Sequence, residues 1–399
     1  MRIDRITGLE RKYAMEALDG GFRNLNSYKL VKRLEDAFAE KIGSKYAIAF
    51  VNGTATLHIA LEAAGVSIGD EVITTPLTMS ATSLAILHAN AIPVFADVDP
   101  ETYQITAAEI EKKITPKTKA IIIVSLFGLM PEMDEIMALA KKHNLAVIED
   151  DAQCFLGKYK GRMAGTIGAL SSFSFQSSKH ITCGEGGMVT TDNEDYALKV
   201  RRYSGLGYAG ISTKKGRITK DDIQSPDYER HVVLGWNYRM SDVTGGVALA
   251  QTERMEELCG VRIRSAKIFE DAIADCQWIL KQKTPDYCEN AYWAAAFRLD
   301  TSKVGWHDFR RRFTEFGGDG VYAAWKLTYQ EPAFREMNLL GREKIFKMFG
   351  YGDGFYHDGL CPVAENLQKR LLLFKTNYWD YDRALKQAEI LERTWRSFE

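Results

Sequence analysis

One lysine of the sequence lies among small hydroxyl residues, shortly before a glycine-rich turn. Lys179 follows the serine-rich segment 172–178 and precedes the turn Gly184–Gly187. A lysine has an ordinary pKa of about 10.4, and desolvation can remove its proton, which makes it a nucleophile able to form a Schiff base with an aldehyde. A lone lysine is far more often a surface charge, so the segment needs support from elsewhere in the chain.

A second segment combines a strand end, a glycine and a helix start. Asn52, Gly53 and Thr54 follow the apolar run 46–50. A helix N-terminus offers unpaired N–H groups and partial positive charge, while the glycine permits close approach and the threonine adds a hydroxyl. The segment predicts a phosphate cradle, although a routine helix cap has the same residue types.

A third segment places acidic residues at the end of an apolar strand. Glu149, Asp150, Asp151 and Gln153 follow the run 145–148. A carboxylate on a buried strand is costly unless it has a charged or protonated partner, such as a protonated ring nitrogen, a magnesium ion or a structural salt bridge. All three segments fall at the C-terminal ends of predicted strands, where open α/β sheets bind ligands.

A phosphate cradle, an acid and a buried lysine together are what pyridoxal 5′-phosphate requires. Residues 20–260 resemble the sugar aminotransferases of the DegT/StrS group, within the fold type I pyridoxal-phosphate enzymes. The resemblance implies an α/β fold like that of aspartate aminotransferase, with a large domain built on a mostly parallel sheet flanked by helices and a smaller α+β C-terminal domain. Five motifs carry it: Asn52–Ala55, Glu149–Gln153, Phe173–Phe175 with Lys179, Gly184–Gly187 and Gly235–Ser241.

The resemblance implies a role for each matching residue. Lys179 would form the Schiff base with the cofactor and then carry a proton between the cofactor C4′ carbon and the substrate carbon. Asp150 would pair with the pyridinium nitrogen and keep the ring an electron sink, and Gln153 would contact the ring hydroxyl. The cofactor phosphate would be held by Gly53, Thr54 and Ser174.

The resemblance also implies a homodimer in which two chains share each active site. Asn237 would reach the phosphate of the neighbouring subunit's cofactor, and Arg239 would bind the carboxylate of the amino donor. Met79 lies where the family usually has an aromatic residue on the cofactor face, and its thioether can pack against the ring. His180 is a candidate substrate-binding residue or, alternatively, a packing residue.

The leading hypothesis is therefore transamination by a ping-pong mechanism, from an amino acid such as L-glutamate to a keto-sugar that is nucleotide-linked. One alternative is a sugar dehydratase of the same family, which has a histidine in place of the lysine; Lys179 favours transfer, although His180 follows it directly. Another is a non-catalytic regulatory protein, which would have no need for a buried lysine beside an acid.

Short apolar runs that alternate with segments of helical period predict the elements that position these residues. Unbroken apolar strands are typical of a sheet buried on both faces. We predict strands over 46–50, 71–74, 92–96, 120–124, 145–148, 173–175 and 188–191. We predict helices over 55–65, 79–89, 106–114, 132–143 and a long one over 241–258. The large domain is predicted over 26–257 and the small domain over 258–399, with residues 1–25 packing against the small domain.

Composition and charge narrow the class of protein. The 399 residues hold 52 Lys and Arg against 53 Asp and Glu, and this net charge of −1 argues against a nucleic-acid or polybasic membrane partner. No apolar window is long enough for a membrane span, and the start of the chain is charged where a signal peptide is apolar. Six scattered cysteines without a CxxC pair, and histidines without ligand spacing, predict free thiols, no metal and a cytoplasmic protein.

Two further patterns need an interpretation. Residues 205–210 match GxGxxG but follow a helical segment rather than a strand, so we do not interpret them as a nucleotide site. A nucleotide-linked substrate would need a basic patch. The candidates are Arg310–Arg312 and a polar loop that contains Lys214, Lys215, Arg217 and Lys220.

Overall fold

The computed structural model describes residues 2–21, 29–212, 224 and 226–399 of the chain. Its strands are β1 (Tyr46–Phe50), β2 (Glu71–Thr74), β3 (Ile92–Phe95), β4 (Thr118–Val124), β5 (Ala146–Asp150), β6 (Lys158–Tyr159), β7 (Arg162–Met163), β8 (Leu170–Ser174), β9 (Gly187–Thr191), β10 (Ile279–Lys281), β11 (Cys288–Glu289), β12 (Ala294–Leu299) and β13 (Leu371–Lys375).

The described helices, numbered along the chain, are α1 (Gly8–Asp19), α2 (Lys29–Ile42), α3 (Gly53–Ala63), α4 (Ala81–His88), α5 (Ala107–Glu111), α6 (Met133–His143), α7 (Glu194–Ser204), α8 (Asp242–Glu253), α9 (Met255–Asp271), α10 (Trp306–Glu315), α11 (Pro332–Arg335), α12 (Glu343–Met348), α13 (Pro362–Gln368) and α14 (Tyr381–Arg396). Two 3-10 turns span Leu126–Gly128 and Thr328–Gln330.

A mostly parallel sheet of seven strands forms the centre of the larger part, in the order β1-β9-β8-β5-β4-β2-β3. Strand β9 alone among the seven runs antiparallel to its neighbours β1 and β8. The pairing aligns Val124 with Asp150, Asp150 with Ser172, and Gly187 with both Ser174 and Phe50. The ends of four strands and the start of β9 therefore meet along one edge.

Helices cover both faces of this sheet, as the resemblance implies, and the strands between them are buried. On one side α3 and α4 pack against apolar residues such as Ile48, Ile122 and Val189. On the other side the packing includes Ile121, Ile123 and Ile136 of α6. Burial on both faces explains why the strands lack polar alternation in the sequence.

The C-terminal part is built on the antiparallel sheet β10-β12-β13. Helices α9, α10 and α14 pack on it around Phe269, Phe297, Phe374 and Trp395. The predicted fold class is confirmed, and in this part of the chain the sheet is antiparallel as an α+β unit requires.

The prediction of one long helix over 241–258 is wrong in one respect, because the helix is interrupted at Arg254. Its backbone, at φ −106° and ψ 15°, ends α8, and α9 begins at the next residue. The Arg254 side chain binds the carboxylate of Glu10 at 3.0 Å and the carbonyl oxygens of Asp4 and Arg5. The break is thus fixed by contacts with the N-terminus.

The N-terminal residues contact both parts of the molecule. Arg2 and Ile3 run beside Trp379 and Asp380, near the start of α14. Helix α1 packs instead against α2 and α8, where Tyr13 shares a cluster with Leu30 and Leu249. The domain limits at residues 25 and 257 remain predictions.

Candidate active site

A cavity of about 730 Å³ opens at the edge where the strands end. Its size is typical of a site for a small-molecule ligand. Its lining combines side chains of the C-terminal part with six residues from the edge of the large sheet: Gly53, Thr54, Asp150, Gln153, Ser174 and Lys179. The structure therefore brings six of the predicted site residues together, and Met79, 46% exposed, also lines the cavity.

The phosphate cradle predicted at the start of α3 packs directly against the end of β8. Asn52 caps the helix, since its side-chain oxygen accepts from the backbone N–H of Ala55 at 2.8 Å. A Cβ added to Gly53 would lie 2.8 Å from Cβ and 3.1 Å from Oγ of Ser174. Only glycine fits this approach, which places the start of a helix and a serine hydroxyl at one end of the cavity.

Asp150, the last residue of β5, is a buried carboxylate with two hydrogen bonds. Its Oδ2 accepts from the hydroxyl of Thr82 at 2.8 Å, and its Oδ1 accepts from the N–H of Ala152 at 3.3 Å. Burial raises the pKa of Asp150, while the bond from Thr82 and the charge of Lys179 act against this rise. Such a carboxylate gains from a cationic partner in the cavity.

Lys179 is held in a turn after β8, where its N–H donates to the carbonyl of Gln176 at 2.9 Å. Its Nζ lies 5.2 Å from the ring centroid of Trp293. Burial lowers the pKa of Lys179 to about 8, against the charge of Asp150 and with that of Arg262. The amine is therefore neutral in an appreciable fraction of molecules near neutral pH, as a nucleophile requires.

Gln153 is buried, and its Oε1 accepts from the backbone N–H of Phe127 at 2.8 Å. Phe127 has a φ of 63°, a conformation that is unusual for an aromatic residue. The bond holds the Gln153 side chain at the cavity wall, where the predicted contact with a ring hydroxyl would be made.

Three predicted residues do not line this cavity. His180 is fully buried, where its Nε2 bonds the carbonyl oxygen of Ala291 at 2.9 Å and its ring packs on Phe155. This position argues against the substrate contact that we predicted for His180 and agrees with the packing alternative. Asn237 is exposed and Arg239 half-buried outside the cavity, and their backbones pair with Gly205 and Phe50.

Of the candidate basic residues, those within the described part of the chain lie on α10 and not at the cavity. Arg311 and Arg312 on α10 form ion pairs with Asp308 and Glu315 and do not line it. The four candidates of the polar loop lie outside the described residues. The GxGxxG segment follows helix α7 rather than a strand, as the sequence predicts.

The sequence did not reveal several cavity residues. Thr82 comes from α4, Arg262 from α9, and Trp293, Tyr322 and Trp325 come from the C-terminal part. The indoles of Trp293 and Trp325 stack on each other with centroids 5.7 Å apart, and Phe127 stacks on both. The pair Tyr292-Trp293 in the sequence was an aromatic signal, but nothing local indicated which cavity it faces.

These residues fit pyridoxal phosphate. The close approach of Gly53 to Ser174 leaves a cradle that a Cβ would fill. Asp150 is a buried acid that gains from a cationic partner, and Lys179 is an amine whose pKa is lowered by burial. The site also favours an aminotransferase over a sugar dehydratase with a histidine at this position, because Lys179 lines the cavity and His180 does not. Fold and site together define a pyridoxal-phosphate enzyme of the aminotransferase type.

Comparisons with known proteins agree. Residues 4–340 match the DegT/DnrJ/EryC1/StrS aminotransferase family, and the chain belongs to this family. It is 38% identical over 273 residues to GDP-perosamine synthase of Caulobacter vibrioides, which covers 68% of each chain. It is 37% identical over 298 residues to GDP-perosamine synthase of Escherichia coli O157:H7, or 75% of this chain and 77% of that one.

Solved structures show the same fold over the whole chain. The structure of an aminotransferase from Psychrobacter cryohalolentis is 30% identical, covers 98% of both chains and superposes with a TM-score of 0.87. The protein is a pyridoxal-phosphate-dependent sugar aminotransferase, and the predicted enzyme class and cofactor are confirmed. Within the described residues no helix has the length and apolar character to cross a membrane.

Proposed function

We propose that the enzyme moves the amino group of an amino acid, L-glutamate in the first place, to the carbonyl carbon of a nucleotide-linked keto-sugar by a ping-pong mechanism. The observation that carries this proposal is the position of Lys179, whose amine lies between a buried acid and an aromatic cavity end. The names of the two GDP-perosamine synthases support a nucleotide-linked sugar.

We assign one end of the cavity to the cofactor. Pyridoxal phosphate supplies an aldehyde that accepts and returns an amino group, and a ring that delocalises the electrons freed at the substrate carbon. The N-terminus of α3 and the hydroxyls of Thr54 and Ser174 would hold its phosphate. Asp150 would pair with the ring nitrogen, Gln153 would orient the ring hydroxyl and Met79 would cover one face.

Lys179 Nζ is the group that moves the proton. Because its pKa is about 8, Nζ could take up a proton in its neutral form and deliver it in its charged form. In the first half of the cycle the proton would move from the donor carbon to the cofactor C4′ carbon, and in the second half from C4′ to the acceptor carbon, so each half uses both forms of the amine.

The other end of the cavity remains for the substrates. Trp293, Trp325 and Tyr322 form an aromatic wall there, beside Lys375 and Asn377. The Nε1–H of Trp293 donates to the carbonyl of Ser178 at 3.0 Å, which fixes the indole. The wall offers flat apolar faces for the C–H side of a sugar ring or for a nucleotide base.

We further propose that the working unit is a homodimer. Asn237 and Arg239 lie outside the cavity of a single chain, and the preceding segment exposes Val232, Leu234 and Trp236. A partner that covers this segment would bring Asn237 or Arg239 to a second active site. The six cysteines are unpaired, which suits a reducing compartment, and we place the reaction in the cytoplasm.

The test follows each half-reaction with purified protein. We expect glutamate to bleach the visible absorbance of the holoenzyme and a panel of keto-sugar nucleotides to restore it, with an aminated sugar as the product. Borohydride reduction should fix the cofactor to wild-type protein and not to Lys179→Ala. A protein that binds no pyridoxal phosphate, or an acceptor that loses a hydroxyl without gaining nitrogen, would refute the proposal.

A further inference from the structure

One buried cation of the cavity wall has no role in the chemistry described so far. Arg262 of α9 is 2% exposed and lines the cavity. Its hydrogen-bond partners in the described part of the chain are three carbonyl oxygens and a hydroxyl, and none of them is a carboxylate.

The guanidinium of Arg262 ties the lysine turn to the small sheet. One terminal nitrogen donates to the carbonyl of Ser178 at 2.6 Å and to that of Lys179 at 2.9 Å. The other donates to the carbonyl of Trp293 at 2.9 Å and to the hydroxyl of Thr376 at 3.2 Å. A single side chain therefore joins the turn that carries Lys179 to the start of β12 and the end of β13.

A second arginine reaches the same turn from the N-terminus. Arg5 donates to the carbonyl of Ser177 at 2.5 Å and to that of Lys179 at 3.3 Å. Burial and the charge of Arg5 lower the pKa of Arg262 to about 9. Two cations thus converge on one peptide segment, although like charges repel and each costs free energy to bury.

Stability alone gives little reason for this arrangement. Taking an unpaired cation out of water costs free energy, and hydrogen bonds to neutral carbonyl oxygens do little more than offset this cost. An apolar side chain of similar volume would avoid the cost of burying the charge. The charge is better explained by Lys179, because the guanidinium binds the main chain of this residue and its charge lowers the pKa of the lysine amine.

We propose that Arg262 is a positioning residue, which clamps the main chain of Lys179 against the small sheet and whose positive charge favours the neutral, reactive form of the lysine amine. The inference rests on the proposed role of Lys179 as the attachment site of the cofactor.

The groups around Lys179 shift the pKa of its amine in opposite directions. Asp150, from β5, stabilises the lysine cation, whereas burial and Arg262, from α9, destabilise it. Arg5 lies across the same turn, the Trp293 ring faces Nζ, and His180 stays neutral because burial holds its pKa well below the usual value. Removal of the Arg262 charge takes away one of the influences that oppose Asp150, so the pKa of Lys179 should rise.

The test measures how cofactor capture by the apoenzyme depends on pH. The neutral amine of Lys179 condenses with the aldehyde of added pyridoxal phosphate, which forms a C=N bond and releases one water, so the initial rate follows the neutral fraction. We expect the midpoint of the wild-type profile near pH 8. In Arg262→Met it should move up by about one pH unit, a roughly tenfold slower capture at pH 7.

Two further variants separate charge from shape. Arg262→Lys keeps the charge and loses the fork of donors, so the midpoint should stay while the maximal rate falls. Arg264→Met, two residues along α9 and against the Tyr381 ring, should change neither. An Arg262→Met or Arg262→Lys profile that contradicts these midpoints would overturn the inference. Capture by Lys179→Ala as fast as by wild type would instead refute the proposed function.

Discussion

Gly53 is the residue at which the cavity leaves least room for change. Its missing Cβ lets the start of α3 lie against Ser174, where an alanine would meet carbon at 2.8 Å. The atoms that this Cβ would meet belong to the short side chain and the backbone of Ser174, which cannot swing away, so Gly53→Ala must push α3 and Ser174 apart. We expect at least about tenfold weaker retention of pyridoxal phosphate, equivalent to ~1.4 kcal/mol, measured by equilibrium dialysis.

Gly260 provides a matched control for this change. It lies within α9, and an added Cβ there meets nothing within 4 Å. Gly260→Ala should keep cofactor affinity and gain up to ~1 kcal/mol of helix stability. Equal loss of affinity in both variants would show that the Gly53 contact does not shape the cradle.

We expect Trp325 to contact the keto-sugar acceptor and not the amino donor. It stacks on Trp293 and lines the cavity beside other residues of the C-terminal part. Trp325→Ala should raise the KM of the keto-sugar by about tenfold and leave the half-reaction with glutamate unchanged. Trp325→Phe should recover most of the loss, whereas an effect on the glutamate half-reaction alone would place the residue at the cofactor end.

Helix α13 is an element whose start depends on a residue far away in the sequence. Asp97, in the loop after β3, accepts from the N–H groups of Val363 and Ala364, each at 2.8 Å. The carboxylate thus caps a helix that leads into β13, the strand that carries Lys375 to the cavity.

Loss of this cap should weaken the small sheet. We expect Asp97→Ala to lower the free energy of unfolding by about 1–3 kcal/mol, measured by urea denaturation, because a buried and a part-buried N–H group lose their acceptor. Asp36→Ala removes an exposed ion pair with Lys32 and should cost less than ~1 kcal/mol. Similar costs for the two variants would contradict the capping role.

The elements differ in how far the sequence predicts them. The strands of the large sheet follow from short apolar runs, and the structure has strands at all seven predicted places. The break at Arg254 and the cap by Asp97 depend on partners more than 200 residues away, and local patterns carry no such information. The two-residue strands β6, β7 and β11 are likewise too short to give a period.

The same distinction applies to the site. Asp150, Ser174 and Lys179 were predictable because each ends or follows a buried strand, so the fold class alone brings them to one edge. Thr82, Arg262 and Trp293 were not, since each enters the cavity from an element whose packing angle decides what its side chains meet. For His180 the sequence left a substrate contact and a packing role open, because local pattern does not show which of two neighbouring turn residues is buried; in the structure His180 is buried and Lys179 lines the cavity.

At the scale of the whole molecule, we propose that the exposed segment 232–236 meets a second chain. Leu234 is 82% exposed and is followed by Trp236, Asn237 and Arg239. Leu234→Asp should dissociate the proposed dimer, because a charge would be buried at the interface. We expect a monomer in sedimentation velocity, with weaker cofactor retention as the partner's Asn237 is lost.

Leu340 offers a control, because it is a similarly exposed leucine outside the segment 232–236. It is 90% exposed in the loop before α12, so Leu340→Asp should leave the association state and the cofactor affinity as in wild type. A wild-type protein that sediments as a monomer with full activity would reject shared active sites.

The indole of Trp293 also has an optical consequence. Two of the seven tryptophans line the cavity, and one lies 5.2 Å from the amine that we assign to the cofactor. Pyridoxal phosphate absorbs where indoles emit, so its arrival should quench the emission of these two rings, and each change of the cofactor between its aldehyde and amine forms should alter the quenching. The enzyme thus contains its own fluorescent reporter, and unlabelled protein is sufficient to follow both halves of the cycle in real time.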